Sequence, residues 1–137
     1  MSNAPEQMPF ERIAIAGLGL IGASLAAALR EAYPGVQLHG ADIDERPCQV
    51  ALERGWVDTA AAPESDTFRN AVAEADLAVV ATPVDASESI LRLLAEWDFP
   101  GIITDTASTK AHLAQVAEQI LPHPQNYVPG HPMAGSE

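Results

Sequence analysis

The sequence has 137 residues, 47% apolar and 5% aromatic, which fits one domain packed around an aliphatic core. Nineteen acidic against seven basic side chains leave a formal net charge of -12, which argues against nucleic acid or an anionic membrane surface as a partner, since both are held by clustered Lys and Arg. No apolar run reaches the ~20 residues of a membrane-spanning helix, the start lacks the basic flank and apolar stretch of a signal peptide, and the single cysteine, Cys48, cannot close an internal disulfide, so the cytoplasm is the expected compartment.

Residues 1–10 read as a disordered tail and residues 11–137 as the folded domain. Arg12 to Ala16 is a short apolar run stopped by Gly17, as expected of a buried parallel strand. The period then changes: Ile21, Leu25, Ala28 and Leu29 share one face of a helix predicted from Leu20 to Ala32 and ended by Tyr33-Pro34-Gly35. A second strand is predicted over Val36 to Ala41, and a second helix from Glu45 to Arg54 with Gly55 as its stop.

Ala60 to Thr67 reads as a loop and Phe68 to Ala75 as a short helix. The most apolar strand follows, Asp76 to Thr82, closed by Pro83. Asp85 with Glu88 three residues on reads as an N-cap for a helix reaching Trp97. Strand Gly101 to Thr104, helix Thr109 to Leu121 and a last strand at Asn126 to Val128 complete five predicted strands. Strands alternating with helices imply the α/β class: a Rossmann-type, doubly wound parallel sheet in a single domain. Ligands of such sheets lie beyond the carboxyl ends of the strands, and that is where the informative motifs fall.

Gly17-Leu18-Gly19-Leu20-Ile21-Gly22 joins the first strand to the first helix as G-x-G-x-x-G. Gly17 permits the tight turn, Gly19 leaves room for a pyrophosphate, and Gly22 lets helix and strand approach. The helix opening at Leu20 and Ile21 offers free N–H groups and a partial positive charge to phosphates. Asp42 ends the second strand, 20 residues beyond Gly22, where a carboxylate accepts hydrogen bonds from a ribose hydroxyl pair. It favours NAD over NADP, whose 2′-phosphate would meet a like charge, although Arg46 nearby offers a countercharge.

Thr82-Pro83-Val84 follows the third long strand and is placed to line the nicotinamide ribose side. Asp105-Thr106-Ala107-Ser108-Thr109-Lys110 follows the next, with Ser108 and Thr109 where a helix cap is expected and Lys110 the only lysine in the chain. Gly130-His131-Pro132-Met133-Ala134-Gly135-Ser136 follows the last strand. His131, with an ordinary pKa of about 6.5, trades protons at working pH and sits in a loop at the cofactor end of the sheet. His39, His112 and His123 have no metal-ligand spacing, so no metal site is expected.

Together these segments resemble the prephenate/arogenate dehydrogenase family; the glycine turn is shared by many dehydrogenases, whereas the segments ending in Lys110 and running from Gly130 to Glu137 are far more specific. The resemblance implies oxidative decarboxylation of prephenate to 4-hydroxyphenylpyruvate in tyrosine biosynthesis, or the equivalent reaction of arogenate. It implies that His131 takes the ring-hydroxyl proton as hydride leaves, and that Ser108 orients that histidine and the substrate. It implies a homodimer built by a helical C-terminal domain that also supplies basic residues for the substrate carboxylates. The sequence stops at Glu137 before any such segment, so the 137 residues alone are expected to bind NAD and to turn over prephenate negligibly. Two other readings stay open: another oxidoreductase of this fold, of the 3-hydroxyacid dehydrogenase or pyrroline-carboxylate reductase type, and a non-catalytic nucleotide-binding module.

Overall fold

The computed structural model describes residues 9–106 and 110–130. Within them the chain runs β1 (Arg12–Ala16), α1 (Leu20–Ala32), β2 (Gln37–Ala41), α2 (Glu45–Glu53), β3 (Thr59–Ala61), α3 (Asp66–Ala73), β4 (Leu77–Val80), α4 (Val84–Glu96), β5 (Ile102–Asp105), α5 (Lys110–Ile120), a 3-10 turn at Pro124–Asn126 and β6 (Tyr127–Val128). All strand pairs are parallel, in the order β3-β2-β1-β4-β5-β6. That is the Rossmann order, with its switch point between β1 and β4.

Strand alternation builds two cores from one sheet. Ile13 and Ile15 of β1, with Leu38, Leu77 and Val79, face α1 and α2 and meet Ala26, Cys48 and Ala51. Ala14 and Ala16, with Ala78, Val80 and Ile103, face the other way, onto Phe68, Val72, Leu91, Leu94 and Leu113 of α3, α4 and α5. Because successive side chains point to opposite faces, a strand covered on both sides must be apolar where it is buried, and β4 and the Ile13–Ala16 part of β1 are. Each fully buried Ile or Leu contributes roughly 1.5–3 kcal/mol. Phe68 and Trp97 meet edge to face with ring centroids 6.2 Å apart, joining α3 to the end of α4.

Three local features differ from the sequence reading. Thr59–Ala61, where a loop is expected from Ala60 onward, forms edge strand β3, paired His39↔Thr59 to Ala41↔Ala61 with β2. Three half-buried residues, two of them alanine, carry no periodic signal; the strand exists because β2 offers it a ladder. Helix α4 begins at Val84 after Pro83, so Asp85 lies in the first turn and is not the cap. Proline's fixed φ and missing N–H suit a helix entrance, and Glu88 instead pairs with Arg92 at 2.7 Å and approaches His112 at 3.4 Å. Helix α3 starts two residues early because Ser65 Oγ accepts the Phe68 N–H at 3.1 Å. Gly55 does stop α2, at φ +73°. Phe10, assigned to the tail, packs partly buried against the α1–α2 core, while residues 1–8 lie outside the described residues.

Candidate functional site at the carboxyl edge

The carboxyl ends of β1, β2 and β4 are tied together by backbone hydrogen bonds. The Gly17 N–H donates to the Ala41 carbonyl at 2.7 Å, and the Ala81 N–H to the Ala16 carbonyl at 2.7 Å. Gly17 adopts φ +103°, and a Cβ there would lie 2.7 Å from the Ala81 carbonyl carbon and 2.8 Å from the Thr82 nitrogen. A Cβ on Gly22 would overlap the Gly17 carbonyl oxygen, whereas one on Gly19 would meet nothing within 4 Å. The first and third glycines are therefore required by packing. Gly19 faces open space at the helix entrance, where α1 has neither a side-chain cap nor an acidic residue in its first turn. The first N–H groups of α1 thus lack intrahelical partners and point their partial positive charge into that space. Leu20 and Ile21 are exposed on the same rim, Leu20 by 86%.

Asp42 is locked onto this turn. Its Oδ2 accepts the Leu18 N–H at 2.8 Å and its Oδ1 accepts the Asp44 N–H at 2.9 Å. The carboxylate is held beside the glycine turn while keeping lone pairs for another donor. Ile43, the next residue, is 82% exposed.

At the end of β4, Ser87 is 1% exposed and fixes the Thr82-Pro83 turn. Its Oγ lies 3.1 Å from the Thr82 carbonyl, 3.0 Å from that of Pro83 and 2.9 Å from Thr82 Oγ1. With the Ser87 proton given to a carbonyl, Thr82 donates to Ser87 and its own oxygen remains an acceptor. Ser87 went unnoticed in the sequence; the signal is a serine four residues after the turn proline, on the buried face of an amphipathic helix.

At the end of β5, Asp105 is 2% exposed and Tyr127, the first residue of β6, donates its hydroxyl to Asp105 Oδ2. Burial, then the bond to Asp105, pushes the Tyr127 phenol well above its ordinary value. Gly130 leaves the sheet against this pair: a Cβ there would overlap the Asp105 carbonyl oxygen and lie 3.1 Å from Thr104 Oγ1. Ser108 and His131 lie outside the described residues. Tyr127 was also missed, although a carboxylate ending an apolar strand requires a buried partner.

Of the other histidines, His39 and His123 stand apart from this edge. His39 lies on β2 with its Nδ1 2.8 Å from Thr59 Oγ1, and burial lowers its pKa. His112 lies on α5, and His123 precedes the 3-10 turn. Among the described residues no group of three or more His, Cys, Asp or Glu is placed to hold a metal ion, and no helix is long and apolar enough to cross a membrane.

Comparison with known proteins gives a family match. Residues 25–137 match the family model described as prephenate dehydrogenase, nucleotide-binding domain. The chain is 41% identical over 131 residues to prephenate dehydrogenase of Bacillus subtilis, covering 92% of this chain and 33% of that protein. It is 37% identical over 131 residues to cyclohexadienyl dehydrogenase of Zymomonas mobilis, covering 93% of this chain and 42% of that one. Among solved structures, prephenate dehydrogenase of A. aeolicus, in complex with hydroxyphenyl propionate and NAD+, superposes with a TM-score of 0.78 at 26% identity over 96% of this chain and 45% of that one. The chain thus spans about a third of the length of the B. subtilis relative. On the family model and the identity to these relatives, the chain belongs to the prephenate dehydrogenase nucleotide-binding domain family.

Proposed function

We propose that the domain binds NAD across the carboxyl edge of its sheet and forms the hydride-accepting half of a prephenate or arogenate dehydrogenase of tyrosine biosynthesis. The observation that carries the reading is the joined pair of the glycine turn and Asp42: an open, uncapped helix entrance with a carboxylate bonded to its Leu18 N–H. The pyrophosphate fits over Gly19, toward the N–H groups opening at Leu20 and Ile21. Asp42 accepts from the ribose hydroxyl pair and repels a 2′-phosphate, which favours NAD over NADP. Exposed Leu20, Ile21 and Ile43 along the rim gain from burial under a flat ring system.

Gly17, Gly22, Thr82 and Pro83 form the floor, with the Thr82 oxygen left as an acceptor on the nicotinamide side. When bound, the cofactor accepts a hydride from the ring carbon bearing the substrate hydroxyl. His131 takes the hydroxyl proton as the hydride leaves, and Ser108 orients His131 and the substrate. Loss of CO2 from the quaternary ring carbon leaves the electron pair that aromatises the ring, and the resulting phenolate takes the proton back from His131, so prephenate and NAD+ give 4-hydroxyphenylpyruvate, CO2 and NADH. General-base help of this kind typically contributes 10²–10⁴-fold. A reducing, cytoplasmic setting fits the buried thiol of Cys48.

Calorimetric titration of the 137-residue protein with NAD tests the binding half: Asp42→Ala is expected to weaken NAD by about tenfold or more, the worth of one or two charge-assisted hydrogen bonds. Equal affinity in the two proteins removes Asp42 from the site. The chemical half is tested by prephenate-dependent NADH formation in the native polypeptide carrying this domain, where His131→Asn is expected to abolish most turnover while NAD affinity stays unchanged.

A further inference from the structure

Ser87 is a hydroxyl on the apolar face of a helix: it shares the buried side of α4 with Ile90, Leu91 and Leu94 and is 1% exposed. Burying a hydroxyl costs free energy unless it is bonded. All three of its side-chain bonds go to Thr82 and Pro83, so its partners are confined to one turn. That turn abuts the glycine turn. A Cβ on Gly17 would lie 2.8 Å from the Thr82 nitrogen, and the preceding Ala81 N–H bonds the Ala16 carbonyl at 2.7 Å. Thr82 thus leaves the sheet beside Gly17, at the edge proposed above for the cofactor.

The single Ser87 proton has two carbonyls within reach, and their other partners decide between them. The Pro83 carbonyl, 3.0 Å away, already accepts the Ala86 N–H at 2.9 Å and the Ser87 N–H at 3.0 Å. The Thr82 carbonyl, 3.1 Å away, accepts no backbone N–H among the described residues, so the Ser87 proton goes there. The Ser87 oxygen is then an acceptor for its remaining neighbour, Thr82 Oγ1, at 2.9 Å. The Thr82 proton is thereby turned inward, and its oxygen keeps both lone pairs for an outside donor. We infer that Ser87 is a positioning residue for the cofactor: it holds the Thr82 hydroxyl as a pure acceptor, matched to a donating hydroxyl of the ribose on the nicotinamide side. The inference rests on the cofactor placement proposed above and names the group that sets the polarity of that contact. Without Ser87 the Thr82 O–H rotates and presents its proton as readily as its lone pairs, so the preorganised contact is lost.

Calorimetric titration of the 137-residue protein with three ligands tests this: NAD, then ADP-ribose, which keeps the second ribose but lacks the nicotinamide, and ADP, which lacks both. Ser87→Ala is expected to weaken NAD and ADP-ribose alike by about fivefold, as one neutral hydrogen bond contributes, and to leave ADP within about twofold of wild type. The ADP titration, with unchanged stoichiometry, also shows that the variant is folded. Thr82→Val keeps the side-chain shape, removes the hydroxyl and is expected to give the same pattern. Because Ser87 acts only through Thr82, the double variant is expected to bind NAD no more weakly than Thr82→Val alone.

Wild-type NAD affinity in Ser87→Ala, or losses that multiply in the double variant, overturns the positioning role. Wild-type NAD affinity in Thr82→Val does the same, whatever the stability of Ser87→Ala. A loss shared equally by ADP also defeats it, by marking Ser87 as a support of the whole edge. A loss confined to NAD moves the contact from the ribose to the ring and ends the ribose assignment. The cofactor reading fails in a different way: a wild-type protein that binds none of the three ligands refutes it and the inference together, whereas wild-type binding with an indifferent Ser87→Ala sinks the inference alone.

Discussion

Gly17 carries two constraints at one residue: a backbone at φ +103°, which side chains rarely adopt, and a peptide of the neighbouring β4 exit 2.7 Å from where a Cβ would stand. Those atoms are backbone, so neither neighbour yields by rotating a side chain. Gly17→Ala is expected to cost about 2 kcal/mol or more of folding stability, combining left-handed strain with a steric clash. Urea denaturation measures it, and a midpoint equal to wild type would refute the assignment. Glycines of this kind are legible in a sequence because the motif's spacing names the task of each. Ser87 and Tyr127 are not, since each acts through a partner distant in sequence or hidden in a turn: Tyr127 meets Asp105 across 22 residues of chain.

Among the elements, the tie of α1 to the β2–β3 edge is polar and titratable. Arg30, in the last turn of α1, reaches Asp58 Oδ2 at 2.9 Å, the Val36 carbonyl at 2.8 Å and the Gly55 carbonyl at 3.2 Å. Asp58 also accepts the Leu38 N–H at 2.9 Å. Partial burial raises the Asp58 pKa, but the Leu38 N–H and the Arg30 guanidinium together outweigh it, and the net shift is downward from 3.8. A carboxylate with a depressed folded pKa stabilises the fold above its unfolded value and loses that contribution as pH falls through the folded one. Asp58→Asn is therefore expected to cost about 1 kcal/mol or less at neutral pH, as befits a half-exposed pair, and to flatten the loss of stability below about pH 4. Denaturation midpoints measured across the acid range check this; an acid limb unchanged by the substitution would rule Asp58 out as a contributor. This pairing was not foreseen, because Arg30 and Asp58 are 28 positions apart and only the crossover packing of α1 brings them together.

For the molecule as a whole, a formal charge of -12 on 137 residues means net self-repulsion in the compact state. Surface charges interact over about 8–10 Å at physiological salt and about 30 Å at 0.01 M. Raising ionic strength from about 0.01 M to about 0.15 M is accordingly expected to raise Tm by a few degrees, read by calorimetry. A Tm that falls over this range would mean that attractive pairs such as Arg30–Asp58 outweigh the repulsion. The same field repels an incoming dinucleotide, against which the uncapped entrance of α1, with no acidic residue in its first turn, offers a local partial positive charge.

Alternating apolar strands and helical faces, punctuated by Gly, Pro and a strand-ending Asp, were enough to determine the parallel doubly wound sheet and the edge on which its ligand would lie. Period and punctuation are local properties, and a strand buried on both faces has no choice but to be apolar. Strand β3, the early start of α4 at Val84, the Ser87–Thr82 lock and the Tyr127–Asp105 bond were decided only in three dimensions. Each depends on what lies opposite: a free ladder on β2, a proline oriented as a helix entrance, a buried carboxylate within reach of a phenol. Such complementarity belongs to pairs of segments, and it comes into being only when the sheet brings them together.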